Sequence, residues 1–590
     1  MEDDKRVNYK LDAINKLINN LKLSISGNKE HDELGENNVI VNLDEISEKT
    51  TELHQMVKAE FDEFENQHKS ESDETQTLLT EKFDLVHSDL ATISDKLTTI
   101  DTNIMNFNLV EMYNGLLRFN KHILNELAEG LKHLPNLDGV SKGDSLIINE
   151  QGNPAWGSAA FIPTFESAAY GIEWTKDDND IIRIGNAKFH RELPIQNRLK
   201  GCVYNEKKIS YFLNPTGWAK PLENGFIPPL DGSDGDVGVR VPEFYICVKD
   251  TGTKYQLWIS DFNIDGTFTR VHPFIISHTK TMTRTREDGK EEVFSACIKH
   301  DDTRYLGGNK SSSVVATKLQ GRPRTGINYD KANEFCANRG DWITMIDYLE
   351  YCAIQALCYI EYANFDNQAA LNTNLTSDGF KQGGLGAGVT NLDLDRWAAF
   401  NGNNPIVQTY WTAEHNIGNG STNGDHYELE NYNTDGSNLN TYPAVYRGIL
   451  NFFGDIWTFI RDVVIVNRNA NYNSVYLLKK GVNYADITID NIQDKYYFIG
   501  DQANSNNFIT EFDFRFGPYF IPNKVGTNKK ADYNWIRGNN GQDTDKAVRM
   551  LLLGGCANND SPAGSGGFGS SWVRSGSVAP AGFFTTVKLD

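Results

Sequence analysis

The chain has 590 residues and a formal net charge of −22. A length of this order allows roughly three to five domains, and the acidic balance disfavours non-specific binding to nucleic acid or to an anionic membrane, both of which attract basic surfaces. No stretch approaches ~18 consecutive apolar residues, so no membrane insertion by a spanning helix is expected.

The first ten residues, MEDDKRVNYK, lack the apolar core of a signal peptide, so synthesis in a cytoplasm without a secretion signal of its own is expected. Residues 1–134 hold 14 Lys/Arg against 27 Asp/Glu, a net −13, and contain no Pro, Cys or Trp. Val7, Leu11, Ile14, Ile18, Leu21 and Ile25 step by four and three. The same spacing returns at Leu79, Phe83, Val86, Leu90, Ile93, Leu97, Ile100, Ile104 and Phe107. A sustained a/d seam of this kind predicts a left-handed coiled coil; the second run would be roughly 43 Å long at ~1.5 Å per residue. Ser26–Asn42, with Gly27 and Gly35, reads as a hinge or loop, after which Ile46, Leu53, Val57, Phe61 and Phe64 restart the helix. An intramolecular helical bundle is the alternative. The narrow seam favours several identical chains, and isoleucine at both a and d leans towards a homotrimer, with Leu79 through Ile104 as its trimerisation residues.

Pro135 ends the helical pattern. Gly143-Asp144-Ser145-Leu146 spells the nucleophile string of a hydrolase family, but that chemistry also needs an Asp-x-x-His towards the C-terminus, and no such spacing occurs downstream. The segment reads instead as a collar hairpin over 135–164, turning at Glu150-Gln151-Gly152-Asn153 and followed by Trp156. From Phe165 to about Lys318 the pattern changes to short apolar runs: Ile181–Ile184, Val203–Tyr204, Phe244–Val248, Tyr255–Ile259 and Thr267–Ile276. Turn clusters separate them, so antiparallel sheet is expected. Asp231, Asp234 and Asp236 suggest calcium, but the twelfth position of that loop is Pro242 where a bidentate Glu is required, and a plain acidic turn is the better reading.

Tyr329–Asn338 is amphipathic and ends at Gly340; Asp347–Tyr362 carries Tyr348, Tyr351, Cys352, Gln355 and Tyr359 at helical spacing. Arg339-Gly340-Asp341 matches an integrin tripeptide but sits at a helix end, as a structural turn would. Gly383–Gly388 lacks the Lys-Ser/Thr of a phosphate loop. Asn416–Asn440 is rich in Asn, Gly, Thr, Ser and Asp and reads as an exposed loop. Trp457, in FFGDIW, reads as a core anchor. The seven cysteines, Cys202, Cys247, Cys297, Cys336, Cys352, Cys358 and Cys556, include no CxxC and read as buried reduced thiols; no metal and no cofactor is expected. The chain closes on LLLGGCANNDSPAGSGGFGSSWVRSGSVAPAGFFTTVKLD, whose small residues, aromatics and Arg574 suggest a contact surface rather than a core.

Three blocks carry a resemblance: Leu319–Ala356 (LQGRPRTGINYDKANEFCANRGDWITMIDYLEYCAIQA), Tyr446–Trp457 (YRGILNFFGDIW) and GGCANNDSPAGSGGF near the C-terminus. They resemble the C-type-lectin-like domain of phage receptor-binding proteins, the kind diversified by retroelements. Tyr170–Tyr204 is similar to the domain preceding that fold in proteins of phages infecting gut Bacteroidales. The resemblance covers Tyr170 to Asp590 and implies a trimeric virion fibre with a β-rich intermediate domain (165–320) and an α+β C-type-lectin-like receptor-binding domain (321–590) at its tip; the coiled-coil stalk and virion anchor (1–134) and the collar (135–164) lie outside it and are read from periodicity and turn pattern, which makes the whole chain multidomain. It implies a capsid or tail protein as partner at the N-terminus and a host cell-surface glycan or protein at the C-terminus. Receptor contacts would come from Cys556, Asn558, Asn559, Asp560, Ser561 and Pro562, and from among Ser565, Phe568, Ser570, Trp572 and Arg574. The chain departs from the family in placing Cys556, not an aromatic, after the Gly-Gly. It lacks the calcium-sugar strings of animal lectins, and Cys352 and Cys358, six apart, do not make an oxidase pair. Two other readings use the same architecture: a structural head or tail fibre without a receptor role, and a polysaccharide depolymerase drawing on Asp425, Glu428 and Glu430.

Overall fold

The computed structural model describes residues 145–148, 154–157, 163–176, 180–299, 305–307, 321–390, 407–420, 427–429, 439–441, 443–479, 482, 490–527, 531–537, 548–577 and 580–589. The expected coiled coil and its seam residues lie outside the described residues. The chain divides into a unit over Met1–Ala160 and a unit over Phe161–Asp590. In the first, Ser145–Ile148 pairs antiparallel with Pro154–Gly157, placing Leu146 opposite Trp156, which is the expected hairpin.

The second unit is β-rich with few helices. A five-stranded antiparallel sheet runs Thr269–Val271, Phe244–Asp250, Lys254–Ser260, Ala169–Thr175, Ile181–Gly185. A six-stranded sheet runs Thr344–Met345, Thr585–Lys588, Phe274–Ser277, Asp236–Val241, Lys200–Asn205, Lys208–Phe212. The last strand of the chain is therefore seated between a strand from the middle stretch and one from between the two long helices. Stretches 165–320 and 321–590, read as successive domains, share this sheet and one apolar core reaching from Tyr170 and Ile172 through Ile354 and Leu357 to Leu551 and Phe568. Short apolar runs do not reveal which strands pair, because partners here lie hundreds of residues apart.

The third large sheet has nine strands. Its path is Tyr496–Ala503, Tyr472–Leu478, Trp457–Asn467, Val548–Leu553, Phe568–Gly569, Tyr533–Trp535, Asn507–Asp513, Ile521–Gly526, with Ala581–Gly582 parallel to Trp457–Asn467. Side chains join its two ends. Gln502 Nε2 donates to Asn534 Oδ1 at 2.7 Å, and Asn523 Nδ2 donates to the Asp501 carbonyl at 3.2 Å. Asn416–Asn440, expected as loop throughout, contains a hairpin of Tyr427–Leu429 with Leu439–Thr441. Its start packs inward: Asn419 Oδ1 accepts from the Trp218 indole at 3.0 Å and from Gly201 N at 2.8 Å.

Both long helices form where their caps allow. Asn328 Oδ1 accepts from Lys331 N and starts Tyr329–Arg339. Asp347 and Glu350 form a reciprocal capping box that starts Tyr348–Tyr362. In the second helix every residue except Leu349 is buried, so it is a core helix. Arg339 at the end of the first helix binds Asp236 and Glu292 at 2.6 and 3.0 Å, which makes the Arg-Gly-Asp string structural. All seven cysteines are free and buried.

Two buried charge clusters tie the sheets together. Lys280 Nζ donates to Asp455 Oδ1 at 2.7 Å and to the Asn451 carbonyl at 2.5 Å, and both side chains are fully buried. Burial pushes the lysine down and the aspartate up, and their mutual attraction opposes both shifts. The second cluster surrounds the capping box. A bulge in Trp457–Asn467 between Phe459 and Val464 swings Arg461 and Asp462 against the helix start. Asp462 Oδ1 accepts from Tyr348 N at 2.9 Å, Asp347 Oδ2 binds Lys588 at 2.8 Å and Arg461 at 3.4 Å, and Thr586 Oγ1 donates to Glu350 Oε2 at 2.9 Å. Three carboxylates thus face two cations. Burial first, then the neighbouring Asp347 charge, pushes Glu350 and Asp462 up to about 7 each. Lys588 and Arg461 hold Asp347 below its ordinary value against that burial.

Replacing one partner of the fully buried pair strands the other. Lys280→Met is expected to destabilise the protein by about 3–5 kcal/mol in urea unfolding, and Lys280→Met with Asp455→Leu to recover most of that loss. The second cluster fixes a pH dependence. Glu350 and Asp462 have raised values in the folded state, so folded protein binds more protons than unfolded protein between the ordinary carboxylate range and about 7. Their contribution is complete below that range and is lost as pH rises through 7. Thermal stability is expected to fall from pH 5 to pH 8, and Glu350→Gln to flatten that fall.

Candidate functional site

The terminal tract begins where Val548–Leu553 runs out into Gly554-Gly555, both with positive φ (91° and 65°). Gly454 N donates to the Gly554 carbonyl and Ala557 N to the Asp455 carbonyl, each at 3.0 Å, so the buried Lys280–Asp455 pair fixes the start of the tract. Ala557–Asn559 forms one 3-10 turn. Asn559 Oδ1 folds back to accept from Cys556 N at 2.8 Å and from the thiol at 3.1 Å. Asp560 follows at φ 53° and ψ −135°, a backbone that L-residues rarely adopt. It is held by Ala563 N on its carbonyl at 2.8 Å and by Gln368 Nε2 at 3.1 Å, and Gln368 also reaches the Ser561 carbonyl at 3.4 Å.

The contact residues expected from sequence divide sharply. Asn558, Asp560 and Ser561 are exposed, and Asn559, Pro562, Trp572 and Arg574 are half-buried. Cys556, Ser565, Phe568 and Ser570 are buried, with no more than 3% of any of them exposed. Burial pushes the Cys556 thiol up to about 12. Ser565 Oγ donates to Asn367 Oδ1, and the Ser565 carbonyl accepts from Tyr351 Oη at 3.0 Å. Phe568 is a strand residue paired with Leu553 and Asn534. Ser570 N and Oγ both donate to the Trp535 carbonyl. These four residues stabilise the scaffold and present no side chain to a partner.

The glycines explain the correction. A Cβ on Gly564 would stand 2.2 Å from Asp532 Oδ1, and one on Gly566 2.9 Å from Tyr359 Oη. Gly566 N donates to Asp532 Oδ2 at 2.7 Å. The Gly/Ser run lets the backbone lie directly on the core helix and on Asp532, so its small residues serve close approach and not exposure.

Beside the turn lie Trp535, Tyr533 and Phe508, which the sequence reading did not single out, packed against Trp457, the expected core anchor. Trp457, fully buried, takes Trp535 edge-on at 4.9 Å between ring centroids and Trp572 at 6.1 Å. Tyr533 lies 4.8 Å from Trp535, and Phe508 5.2 Å from Tyr533. Trp535, Tyr533, Phe508 and Trp572 are all half-buried. A Cβ on Gly567 would meet the Trp535 ring at 3.4 Å and Gly555 N at 3.2 Å, so the Trp535 end of the row lies close to the backbone from which the 556–560 turn starts. The signal was the alternation Tyr533-Asn534-Trp535, which puts two rings on one face of a strand and the amide on the other. Arg574 is engaged with Asp330 at the first long helix.

The described residues contain no group of three or more His, Cys, Asp or Glu placed to hold a metal ion. No described helix is long and apolar enough to cross a membrane. Asp425 and Glu430 lie outside the described residues, as does the side chain of Glu428.

No protein-family model and no curated protein matches the chain. Among solved structures, one named Major Tropism Determinant M1 Variant is similar over 69% of this chain and 88% of its own, at 10% identity and a TM-score of 0.19. A likeness at that score is too slight to carry an argument.

Because the tract is packed, substitution should be costly inside it and cheap on its rim. Gly564→Ala is expected to destabilise by about 1–3 kcal/mol, and Ser561→Ala to change stability by less than about 0.5 kcal/mol; parallel denaturation curves check both.

Proposed function

We propose that this chain is a non-catalytic attachment protein of a phage virion, which binds a receptor on the bacterial surface through the turn at Asn558–Pro562 and the half-buried aromatics beside it. The observation that carries this reading is a single rim combining exposed amide and carboxylate groups with fixed aromatic rings, on a backbone held by the Lys280–Asp455 pair. Rigid rings and short polar side chains give contact area and hydrogen bonding at low entropic loss. The sequence resemblance to phage receptor-binding proteins supports the same role, and the heptad seam supports a homotrimeric stalk carried on a capsid or tail protein. Three rims per trimer would let weak individual sites add up through avidity.

Purified full-length protein is expected to bind host cells and to block adsorption of the phage that carries it. Asn558→Ala with Asp560→Gly should weaken cell binding roughly tenfold while leaving the unfolding transition in place. Unchanged infection in the presence of saturating protein would reject the reading.

A further inference from the structure

We infer that, within the proposed rim, the aromatic row Phe508–Tyr533–Trp535 is the subsite that takes the rings of a neutral saccharide. This rests on the attachment reading above and names the chemistry of its ligand. Phe508 and Tyr533 are register partners on adjacent strands, and Trp535 is two residues along from Tyr533, so all three stand on one face of the nine-stranded sheet. That face is closed over Trp457, Phe459 and Met550, which pack with the first long helix. It is left half-open at the three rings.

The rings are held from both sides. Trp535 is braced by buried Trp457, and on the opposite face of its strand buried Asn534 donates to the Ala503 and Ser505 carbonyls at 2.9 and 2.8 Å. Asn506 Oδ1 accepts from Ile536 N at 2.6 Å and clamps the end of that strand. Phe508 stands 80° to Tyr533, and Tyr533 47° to Trp535. Successive rings are thus turned against one another, first edge-on and then tilted, so the row is not a flat plate. An aliphatic or peptide helix would need a continuous groove. A pyranose has an apolar C–H face to lay on one ring and hydroxyls at its edge to meet amides, and Asn506 and Asn507 border the row. Charge selects among saccharides: the chain carries −22, of which −9 lies outside residues 1–134, so an acidic polysaccharide would be repelled where a neutral one is not.

The test uses full-length protein and host cells in two treatments. Periodate cleaves vicinal diols of sugars, and protease strips surface protein. Binding is expected to be lost after periodate and kept after protease. Tyr533→Ala and Phe508→Ser, near the edge of the packed region, should each weaken binding to untreated cells roughly tenfold. Trp535→Ala should abolish it and Trp535→Phe restore most of it, with far-UV circular dichroism confirming the fold. Binding lost after protease and kept after periodate would overturn the saccharide assignment. Undiminished binding by folded Tyr533→Ala and Phe508→Ser proteins would overturn the subsite. Either result leaves the attachment reading standing, whereas wild-type protein that binds no cells rejects the attachment reading itself.

Discussion

One ammonium group, Lys280 Nζ, joins three distant parts of the chain. It follows the sheet strand Phe274–Ser277, binds Asp455 and the Asn451 carbonyl, and is fully buried in doing so. The Asn451–Asp455 loop then holds Gly554 and Ala557 by backbone hydrogen bonds. Next to it, Thr281 N donates to the Phe583 carbonyl and Trp457 N to the Pro580 carbonyl. Both ends of the terminal tract are therefore anchored on residues that surround one ion pair. An apolar pair of similar volume could give as much stability. What the ion pair adds is direction: an ammonium accepts only a few partners, in fixed positions, and each partner here sets the path of a different segment.

The same logic explains why the last strand is internal. Thr585–Lys588 has a neighbour on each side, and its Lys588 and Thr586 reach the Asp347–Glu350 capping box. The helix start, the bulge at Arg461–Asp462 and the chain end are thus one electrostatic unit. Burial, and then the neighbouring Asp347 charge, makes two of its three acids hold their protons into the neutral range. The tract between Gly554 and Phe583 is fixed at both ends before any of its own contacts are counted.

Much of this was legible in the sequence, and the exceptions have a common cause. Helix positions followed from side-chain periodicity and from Gly340 as a stop, because those signals are local. Short strands were found at Ile181, Phe244 and Tyr255 for the same reason. Strand partners were not legible, so the middle and C-terminal stretches were separated where in fact they share a sheet. The Gly/Ser tract was misread for a related reason. Glycine serves exposure and close approach equally well, and only the positions of Asp532 and Tyr359 distinguish the two at Gly564 and Gly566. Tyr533 and Trp535 were legible as an alternation, but a three-residue strand is too short to stand out without its neighbours Phe568–Gly569 and Asn507–Asp513.

The packing of the tract decides how a surface of this kind can change. A position whose side chain fills the core cannot be varied without loss of stability, whatever a ligand would gain from it. Cys556, Ser565, Phe568 and Ser570 are of that type. Asn558, Asp560 and Ser561 are exposed on a turn whose backbone is fixed by Gln368, Asn559 and Ala563, so their side chains do not fill the core. Asp560 is constrained in one further way: its φ of 53° favours Asp, Asn or Gly over bulkier residues. On the proposed attachment role, specificity at the rim would be carried by few positions on a rigid support, and the aromatic row would supply contact area that does not depend on which residues those positions hold.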